Sequence, residues 1–108
     1  MKKIFILLPI MAITALVFGT VGISKGQETK GEELFKRYCA ICHHDGGNTV
    51  NPQKTLSKKD RESNGVNTTG DIVAKIRNPG PGMAKYDEKT VTDKDAYEIA
   101  EYILNTFK

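Results

Sequence analysis

The sequence predicts a small all-α domain, and three features of the chain indicate it. No window shows the sustained alternation of apolar and polar residues that is typical of a half-buried strand. Apolar residues recur instead at helical spacing, most regularly near the C-terminus. Glycine and proline are concentrated between these segments, where they favour turns and loops. We therefore expect three or four helical stretches in one domain.

The N-terminal segment has the layout of a secretory signal. Lys2 and Lys3 precede an apolar stretch from Ile4 to Phe18, and the first acidic residue is Glu28. A positive start followed by an apolar run is the pattern of a segment that directs export. We therefore expect the domain to function outside the cytoplasm.

Residues 1–24 are the expected signal peptide, and residues 25–108 are the expected mature domain. The small residues Ser24 and Gly22 allow cleavage after either of them. If the segment Met1–Ser24 were retained, its run of about 20 mostly apolar residues could instead anchor the domain in a membrane.

The charge of the chain argues against a nucleic-acid partner. The full sequence has 16 Lys and Arg residues and 13 Asp and Glu residues, which gives a formal net charge of +3. Loss of Lys2 and Lys3 with the signal would lower this charge to +1. Domains that bind nucleic acid are usually much more basic, so this class of function has little support.

The first two helices are predicted from short apolar patterns. The first runs from about Lys30 to Ala40, and the residues that share one of its faces are Leu34, Phe35 and Tyr38. The second is a polar, exposed helix over Gln53 to Ser63, built around Leu56. Asn64 and Gly65 are its natural stop, because both residue types favour the end of a helix.

The third and fourth helices have clearer start and stop signals. The third begins near Thr69 or Asp71 and ends by Asn78, because Pro79 disfavours helical geometry in the residue before it. Its apolar stripe consists of Ile72, Val73 and Ile76. The fourth begins after Thr92, whose hydroxyl can cap the first turn. The stripe that this helix buries consists of Ala96, Ile99, Ala100, Ile103 and Phe107.

The run Cys39-Ala40-Ile41-Cys42-His43 is the most informative motif in the chain. Two thiols separated by two residues can form thioether bonds to the two vinyl groups of one haem, and the following histidine can bind the iron. We therefore expect Cys39 and Cys42 to attach a haem covalently and His43 to be an axial ligand. A covalent haem would also staple a mature domain of about 84 residues, which is close to the lower limit for a self-sufficient core.

Other roles for the two cysteines have less support. The same spacing could belong to a structural disulfide, to half of a zinc site or to a thioredoxin-like motif. A zinc site would need further ligands, but the chain has no other cysteine. A thioredoxin-like motif belongs beside βαβ structure, which the sequence pattern lacks.

The second axial position on the iron has one good candidate. His44 directly follows His43 and cannot reach the opposite face of the haem, so we expect no role for it. The two earlier methionines belong to the expected signal, which leaves Met83 as the sole thioether of the mature chain. It lies in the stretch 78–83, whose prolines and glycines suit an extended strap that passes close to a porphyrin. We therefore expect His43 and Met83 to be the axial ligands, an arrangement that favours electron transfer.

With these residues the sequence resembles the class I cytochromes c, and within them the cytochrome c6 type. Gly31 and Phe35 stand eight and four residues before the first cysteine, as in the first helix of the family. Ile99 and Tyr102 match the aliphatic and aromatic residues of the family's last helix. The resemblance implies the small class I cytochrome c fold, in which three to five helices surround one covalent haem and the N- and C-terminal helices cross.

Two further segments carry the resemblance. Gly46–Asn48, followed by Pro52 and Lys54–Leu56, are similar to the cytochrome c6 segment on the proximal side of the haem. Asn78 and Gly82–Met83 are similar to the strap that carries the methionine.

The chain also departs from the photosynthetic members of the family. Ala84 stands where those members usually have a proline directly after the methionine, and the insert Pro79-Gly80-Pro81 is unusual among them. These departures favour a periplasmic protein of a non-photosynthetic bacterium. The thylakoid lumen is the alternative compartment for a photosynthetic member.

The resemblance implies a function as well as a fold. Members of the family are carriers that shuttle one electron between membrane complexes, so we expect an electron carrier and not an enzyme. The carrier would be a monomer that docks transiently on redox proteins, with membrane contact only if Met1–Ser24 is retained. Two alternatives stay open: a membrane-tethered or subunit haem domain of a larger oxidoreductase, and a ligand-binding or peroxidatic haem protein with a displaceable Met83.

Several basic and polar residues are candidates for contact with a partner or with the haem. Five lysines could guide docking to an acidic partner or could be ordinary solvated surface, namely Lys36, Lys54, Lys58, Lys59 and Lys85. The candidates for holding the haem propionates are Arg37, Arg61, Asn64 and Arg77.

Overall fold

The computed structural model describes Gly19 and residues 27–108, and within them the chain is helical with no strand. The helices are α1 (Lys30–Tyr38), α2 (Ala40–His43), α3 (Lys58–Ser63), α4 (Thr69–Arg77) and α5 (Asp93–Thr106), and a 3₁₀ turn over His44–Gly46 follows α2. The all-α prediction is confirmed. The expected signal peptide and its cleavage sites lie outside the described residues, apart from Gly19. Across residues 27–108, every helix is too short or too polar to cross a membrane.

The first predicted helix is divided in the structure. A helix over Lys30 to Ala40 was expected, but α1 ends at Tyr38 and α2 begins at Ala40. The backbone of Cys39 has a φ of −116°, well away from the helical value of about −63°. The helix is therefore interrupted at Cys39, the first cysteine of the motif.

The second predicted helix begins later than expected. Gln53 was the expected start, but α3 begins at Lys58, after Ser57 has capped it by accepting a hydrogen bond from the Asp60 N–H. Asn51 accepts a hydrogen bond from the Gln53 N–H through its side chain, at 3.2 Å. Such an asparagine turn offers the backbone an alternative to a helix, which explains the shorter α3.

The other two predicted helices have the expected ends. Thr68 and Asp71 form a capping box at the start of α4, and this helix stops at Arg77, before the residue that precedes proline. Thr92 caps α5 by accepting a hydrogen bond from the Asp95 N–H at 3.2 Å.

The fold is closed by the crossing of α1 and α5. Gly31 of α1 lies against the backbone of Glu98 in α5, so a Cβ atom at position 31 would collide with the Glu98 carbonyl oxygen and lie 2.9 Å from the Cβ of Tyr102. Phe35 fills the space next to the crossing, with its ring centroid 5.2 Å from that of Tyr102. Ile99 is fully buried beside them. The expected crossing of the N- and C-terminal helices is confirmed, and Gly31 is the residue that permits it.

The hydrophobic core lies where α1, α4 and α5 meet. Nine apolar residues are buried there, namely Leu34, Phe35, Ile72, Ile76, Val91, Ala96, Ile99, Ala100 and Ile103. Five of these nine also line the cavity described below. The core is therefore one wall of the candidate site.

We predict that Gly31→Ala weakens the crossing, because the new methyl group has no room beside Glu98. Overpacking of this kind costs about 1–3 kcal/mol of unfolding free energy, and sometimes more. Urea unfolding of the purified protein measures the loss. Gly70→Ala is the matched control, because Gly70 also lies in a helix but a Cβ there would have only an ordinary contact, 3.7 Å from the Thr68 hydroxyl. We expect the control to be neutral or slightly stabilising, and equal effects of the two changes would contradict the account.

Candidate haem-binding site

Cys39 stands between α1 and α2, and Cys42 lies within α2. Both are half-buried, are not joined in a disulfide and line the same cavity. Burial raises the pKa of the unmodified Cys39 thiol to about 11. The segment from Cys39 to Cys42 therefore presents two sulfur atoms to one internal space.

His43 is oriented by a backbone carbonyl. Its Nδ1 atom lies 2.7 Å from the carbonyl oxygen of Gly47. A carbonyl can only accept a hydrogen bond, so Nδ1 must carry the proton and donate it. The lone pair of the neutral ring is then on Nε2, the atom that remains available to a metal ion. His43 also lines the cavity, whereas the neighbouring His44 has an exposed side chain and does not line it.

The turn after His43 fixes the position of this carbonyl. Asp45 and Gly46 have φ angles of 53° and 78°, and these left-handed values reverse the chain within two residues. Gly47 then donates its N–H to the His44 carbonyl at 3.0 Å. The carbonyl group of Gly47 is consequently held facing the imidazole ring.

Met83 lies on the segment between α4 and α5. The segment turns at Gly80 and Gly82, whose φ angles are 81° and 89°. A Cβ atom at Gly82 would lie 3.0 Å from Cγ1 of Val50, so the strap passes close to the loop that follows the 3₁₀ turn. Met83 is half-buried and lines the same cavity as the two cysteines and His43.

The cavity that these residues share has a volume of about 450 Å³. This value lies within the range of about 300–1,000 Å³ that is typical of small-molecule and cofactor sites. Its apolar wall comes from the core and its edges, namely Phe35, Leu56, Val66, Ile72, Ile76, Ile99 and Ile103. Its polar residues are Asn48, Asn51, Lys54, Thr55, Arg61, Asn64 and Lys75. An amphiphilic ligand with a broad apolar body and a polar edge fits such a lining.

Comparison with known families and sequences identifies the type of protein. Residues 26–103 match the family model described as cytochrome c oxidase, cbb3-type, subunit III. Cytochrome c6 of Rippkaea orientalis is 33% identical over 104 residues, which cover 96% of this chain and 93% of that protein. Cytochrome c6 of a Synechocystis species is 39% identical over 75 residues, which cover 69% of this chain and 62% of that protein.

Solved structures give the same result. OmcF, the outer membrane cytochrome F of Geobacter sulfurreducens, is 50% identical, with a TM-score of 0.71 over 72% of this chain and 99% of that one. Cytochrome c6C of a Synechococcus species is 26% identical, with a TM-score of 0.68 over 72% and 94% of the two chains. The chain is a cytochrome c6-like class I c-type cytochrome. The predicted family and fold are confirmed.

Membership of this family gives the cytochrome one covalently bound haem c, as predicted. The residues around the cavity fit this cofactor. Two thiols, an imidazole with an available Nε2 and a thioether face one space with apolar walls. These are the groups that covalent attachment and axial ligation of a haem require.

Arg61 joins the cavity to the C-terminus of the cytochrome. It is a buried charged residue, with 6% of its surface exposed. Its Nε donates a hydrogen bond to the Leu56 carbonyl at 2.8 Å, and its Nη2 donates one to the Phe107 carbonyl at 2.9 Å. Within residues 27–108 it forms no ion pair with a carboxylate. A buried guanidinium without an anionic partner is costly, so this cation suits a site that receives carboxylates with its cofactor.

The two residues that Arg61 contacts, Leu56 and Phe107, also hold the 3₁₀ turn over His44–Gly46, here called the proximal turn. The Leu56 N–H donates to the Gly46 carbonyl at 2.7 Å, and the Phe107 ring packs on Gly46 so closely that a Cβ there would lie 2.5 Å from it. Gly46 is therefore held from both sides by residues that Arg61 connects. This arrangement supports the neighbouring Gly47 carbonyl, which orients His43.

The structure divides the four expected propionate candidates into two pairs. Arg61 and Asn64 line the cavity, but Arg37 and Arg77 do not. The guanidinium of Arg37 is on the surface and pairs with Glu33 at 3.1 Å. Arg77 instead donates to the Tyr86 carbonyl and pairs with Asp93. The structure therefore favours Arg61 and Asn64 as the propionate candidates, because Arg37 and Arg77 are held by partners outside the cavity lining.

Some residues of the site could not be found from motifs. Phe107 was expected only as core, yet it covers the proximal turn, and Tyr86 carries a hydrogen-bonded hydroxyl that no pattern indicated. Two large apolar residues, Ile41 and Val50, are 85% and 60% exposed near the site. Phe107 can be found in the sequence because it continues the helical spacing of the apolar residues of α5. Its contact with Gly46, however, depends on the tertiary structure.

We predict that acid weakens the polar edge of the cavity through Asp60. The Thr55 hydroxyl and N–H donate hydrogen bonds to its carboxylate, and these bonds lower the pKa of Asp60 below its ordinary value. A lowered folded-state pKa stabilises the protein above the unfolded pKa of about 4, and the contribution is lost as the pH falls through the folded value. Urea unfolding as a function of pH should therefore show a smaller acid-induced loss in Asp60→Asn and Thr55→Val than in the wild type. Identical pH profiles of the three proteins would contradict this prediction.

Proposed function

We propose that this cytochrome is a periplasmic one-electron carrier whose haem is bonded to Cys39 and Cys42 and ligated by His43 and Met83. The observation that carries the proposal is that these four side chains line one cavity with apolar walls. When bound, the haem supplies an iron centre that exchanges one electron between its ferric and ferrous states. We do not expect a substrate reaction, because two protein ligands leave no open position on the iron.

The chain prepares the ligand on the proximal side. The hydrogen bond from Nδ1 of His43 to the Gly47 carbonyl fixes the tautomer and the direction of the ring. The 3₁₀ turn over His44–Gly46 is itself held in place by the Phe107 ring and by the hydrogen bond between Leu56 and Gly46. A ligand held in this way needs little rearrangement when the charge on the iron changes, and this supports rapid electron exchange.

Partner docking is proposed at the edge of the site. Ile41 lies between the two cysteines in sequence and Val50 lines the cavity, and both are exposed. Weak redox encounters use small interfaces, for which two exposed apolar side chains near the electron-transfer edge are suitable contacts. Lys54 lines the cavity as well and could attract an acidic partner. Lys36 and Lys58, by contrast, already pair with glutamates of their own surface.

The compartment and the mature boundaries follow from the same proposal. Covalent haem attachment suits an exported protein, and cytochrome c6 relatives support export. We propose that residues 1–24 are removed as a signal peptide and that residues 25–108 function as a monomer in the periplasm. A retained N-terminal segment would give a tethered carrier instead.

A second candidate function is a haem subunit of a larger oxidoreductase. One observation favours it, namely that the matching family model is described as subunit III of a cbb3-type oxidase. Size-exclusion chromatography of gently solubilised cells separates the candidates. A free carrier elutes at the size of the isolated domain, whereas a subunit elutes with a large membrane complex.

We predict that Met83→Ala removes the near-infrared charge-transfer band of the oxidised protein. The reduced variant should also bind carbon monoxide readily, because the iron has lost its thioether ligand. Absorption spectroscopy of the purified holoprotein measures both effects. His44→Ala is the control, because His44 is exposed and lies outside the cavity lining, and it should keep the band and resist carbon monoxide. Retention of the band in Met83→Ala would show that another residue is the ligand, and rapid carbon monoxide binding by the wild type would favour the ligand-binding alternative.

A further inference from the structure

The strap that carries Met83 is held to the rest of the cytochrome mainly at its ends. Residues 79–85 form no hydrogen bond, through either backbone or side chains, with any described residue outside this segment. Before them, the Asn78 N–H donates to the Ala74 carbonyl at the end of α4. After them, the first hydrogen-bonded residue is Tyr86, three positions beyond Met83. The position of Met83 therefore depends on how firmly Tyr86 is held.

Tyr86 is fixed by three hydrogen bonds. Its N–H donates to the Ile76 carbonyl at 3.1 Å, and its own carbonyl accepts a hydrogen bond from Nη1 of Arg77 at 3.1 Å. Its hydroxyl donates to the carbonyl of Tyr38 at 2.9 Å. The first two bonds connect Tyr86 to α4, and the third connects it to α1.

The Tyr38 carbonyl is an acceptor that the interruption between α1 and α2 leaves without a helical partner. In a continuous helix it would accept from Cys42, but Cys42 donates to Cys39 instead, at 3.2 Å. Carbonyls at the end of a helix need other partners, and the Tyr86 hydroxyl provides one here. Tyr38 directly precedes Cys39, so this hydrogen bond connects the methionine strap to the haem-attachment segment.

Packing supports the same contact. The rings of Tyr38 and Tyr86 meet edge to face, with centroids 5.7 Å apart. Burial raises the pKa of the Tyr86 phenol above its ordinary value, so the hydroxyl keeps the proton that it donates.

We propose that Tyr86 is a positioning residue that latches the Met83 strap closed over the haem cavity. The latch is the hydrogen bond from the Tyr86 hydroxyl to the Tyr38 carbonyl. It sets the fraction of molecules in which Met83 has left the iron, and thereby the affinity of the ferric protein for a small external nitrogen base. The inference rests on the proposed ligation by Met83.

The size of the effect follows from the population of the open state. A ligand that binds only the open state has an apparent Kd equal to its intrinsic Kd divided by the open fraction. Loss of one hydrogen bond that exists only in the closed state raises this fraction about two- to tenfold. The apparent Kd should fall by the same factor.

The test is a spectrophotometric titration of the ferric holoprotein with imidazole. Tyr86→Phe keeps the ring and removes only the hydroxyl, so we expect it to lower the apparent Kd for imidazole about two- to tenfold. Tyr102→Phe is the matched control, because it removes a half-buried tyrosine hydroxyl at the α1–α5 crossing, away from the strap. Thr68→Ala controls for general destabilisation, because it removes only the cap of α4. Both controls should keep the affinity of the wild type.

The outcomes separate failure of the latch from failure of the proposed ligation. If Met83→Ala tightens imidazole binding and Tyr86→Phe does not, the latch is wrong while the ligation holds. If Met83→Ala leaves imidazole binding and the near-infrared band unchanged, the proposed ligation fails and the latch fails with it. If Thr68→Ala or Tyr102→Phe tightens binding as much as Tyr86→Phe, the effect is general destabilisation and the latch is overturned.

Discussion

The fold depends on apolar packing around a cavity that a cofactor must fill. Phe35 of α1, Ile72 and Ile76 of α4, and Ile99 and Ile103 of α5 are buried among one another and also form the cavity wall. In a domain of this size these side chains are a large part of the whole core. The haem of a c-type cytochrome therefore completes the interior. Because the same side chains bind the cofactor and form the core, loss of the haem should also lower the stability of the fold.

The helices and the irregular segments have different roles in this site. The helices form the apolar wall and the crossing at Gly31, whereas His43 and Met83 stand at the end of a short helix and on an irregular strap. Such segments need added support from tertiary contacts. On the proximal side Arg61 and Phe107 supply it, and on the methionine side Tyr86 supplies it. Residues distant in sequence thus control the positions of both proposed ligands.

Much of the fold could be predicted from the sequence, because its determinants are local. The caps at Thr68 and Thr92 depend only on residues within one helical turn. The close approach of the helices at Gly31 could be predicted from the family resemblance. The late start of α3 was missed, because the asparagine turn that replaces its first residues competes with the helix. The cavity-lining cysteines, histidine and methionine were also predicted. The hydrogen bonds of Arg61 to Phe107 and of Tyr86 to Tyr38 could not be predicted, because bonds that span 46 and 48 residues leave no periodic signal.

The central claim is that the two cysteines of the motif are bonded to the cofactor that completes the core. The mass of the intact protein, purified from a host that attaches haem, tests it most directly. Addition of a thiol across a vinyl group loses no atoms, so residues 25–108 should appear heavier by one complete haem, and denaturation should not release it. A colourless protein with the mass of the bare polypeptide, and with Cys39 and Cys42 both open to alkylation, would contradict the account.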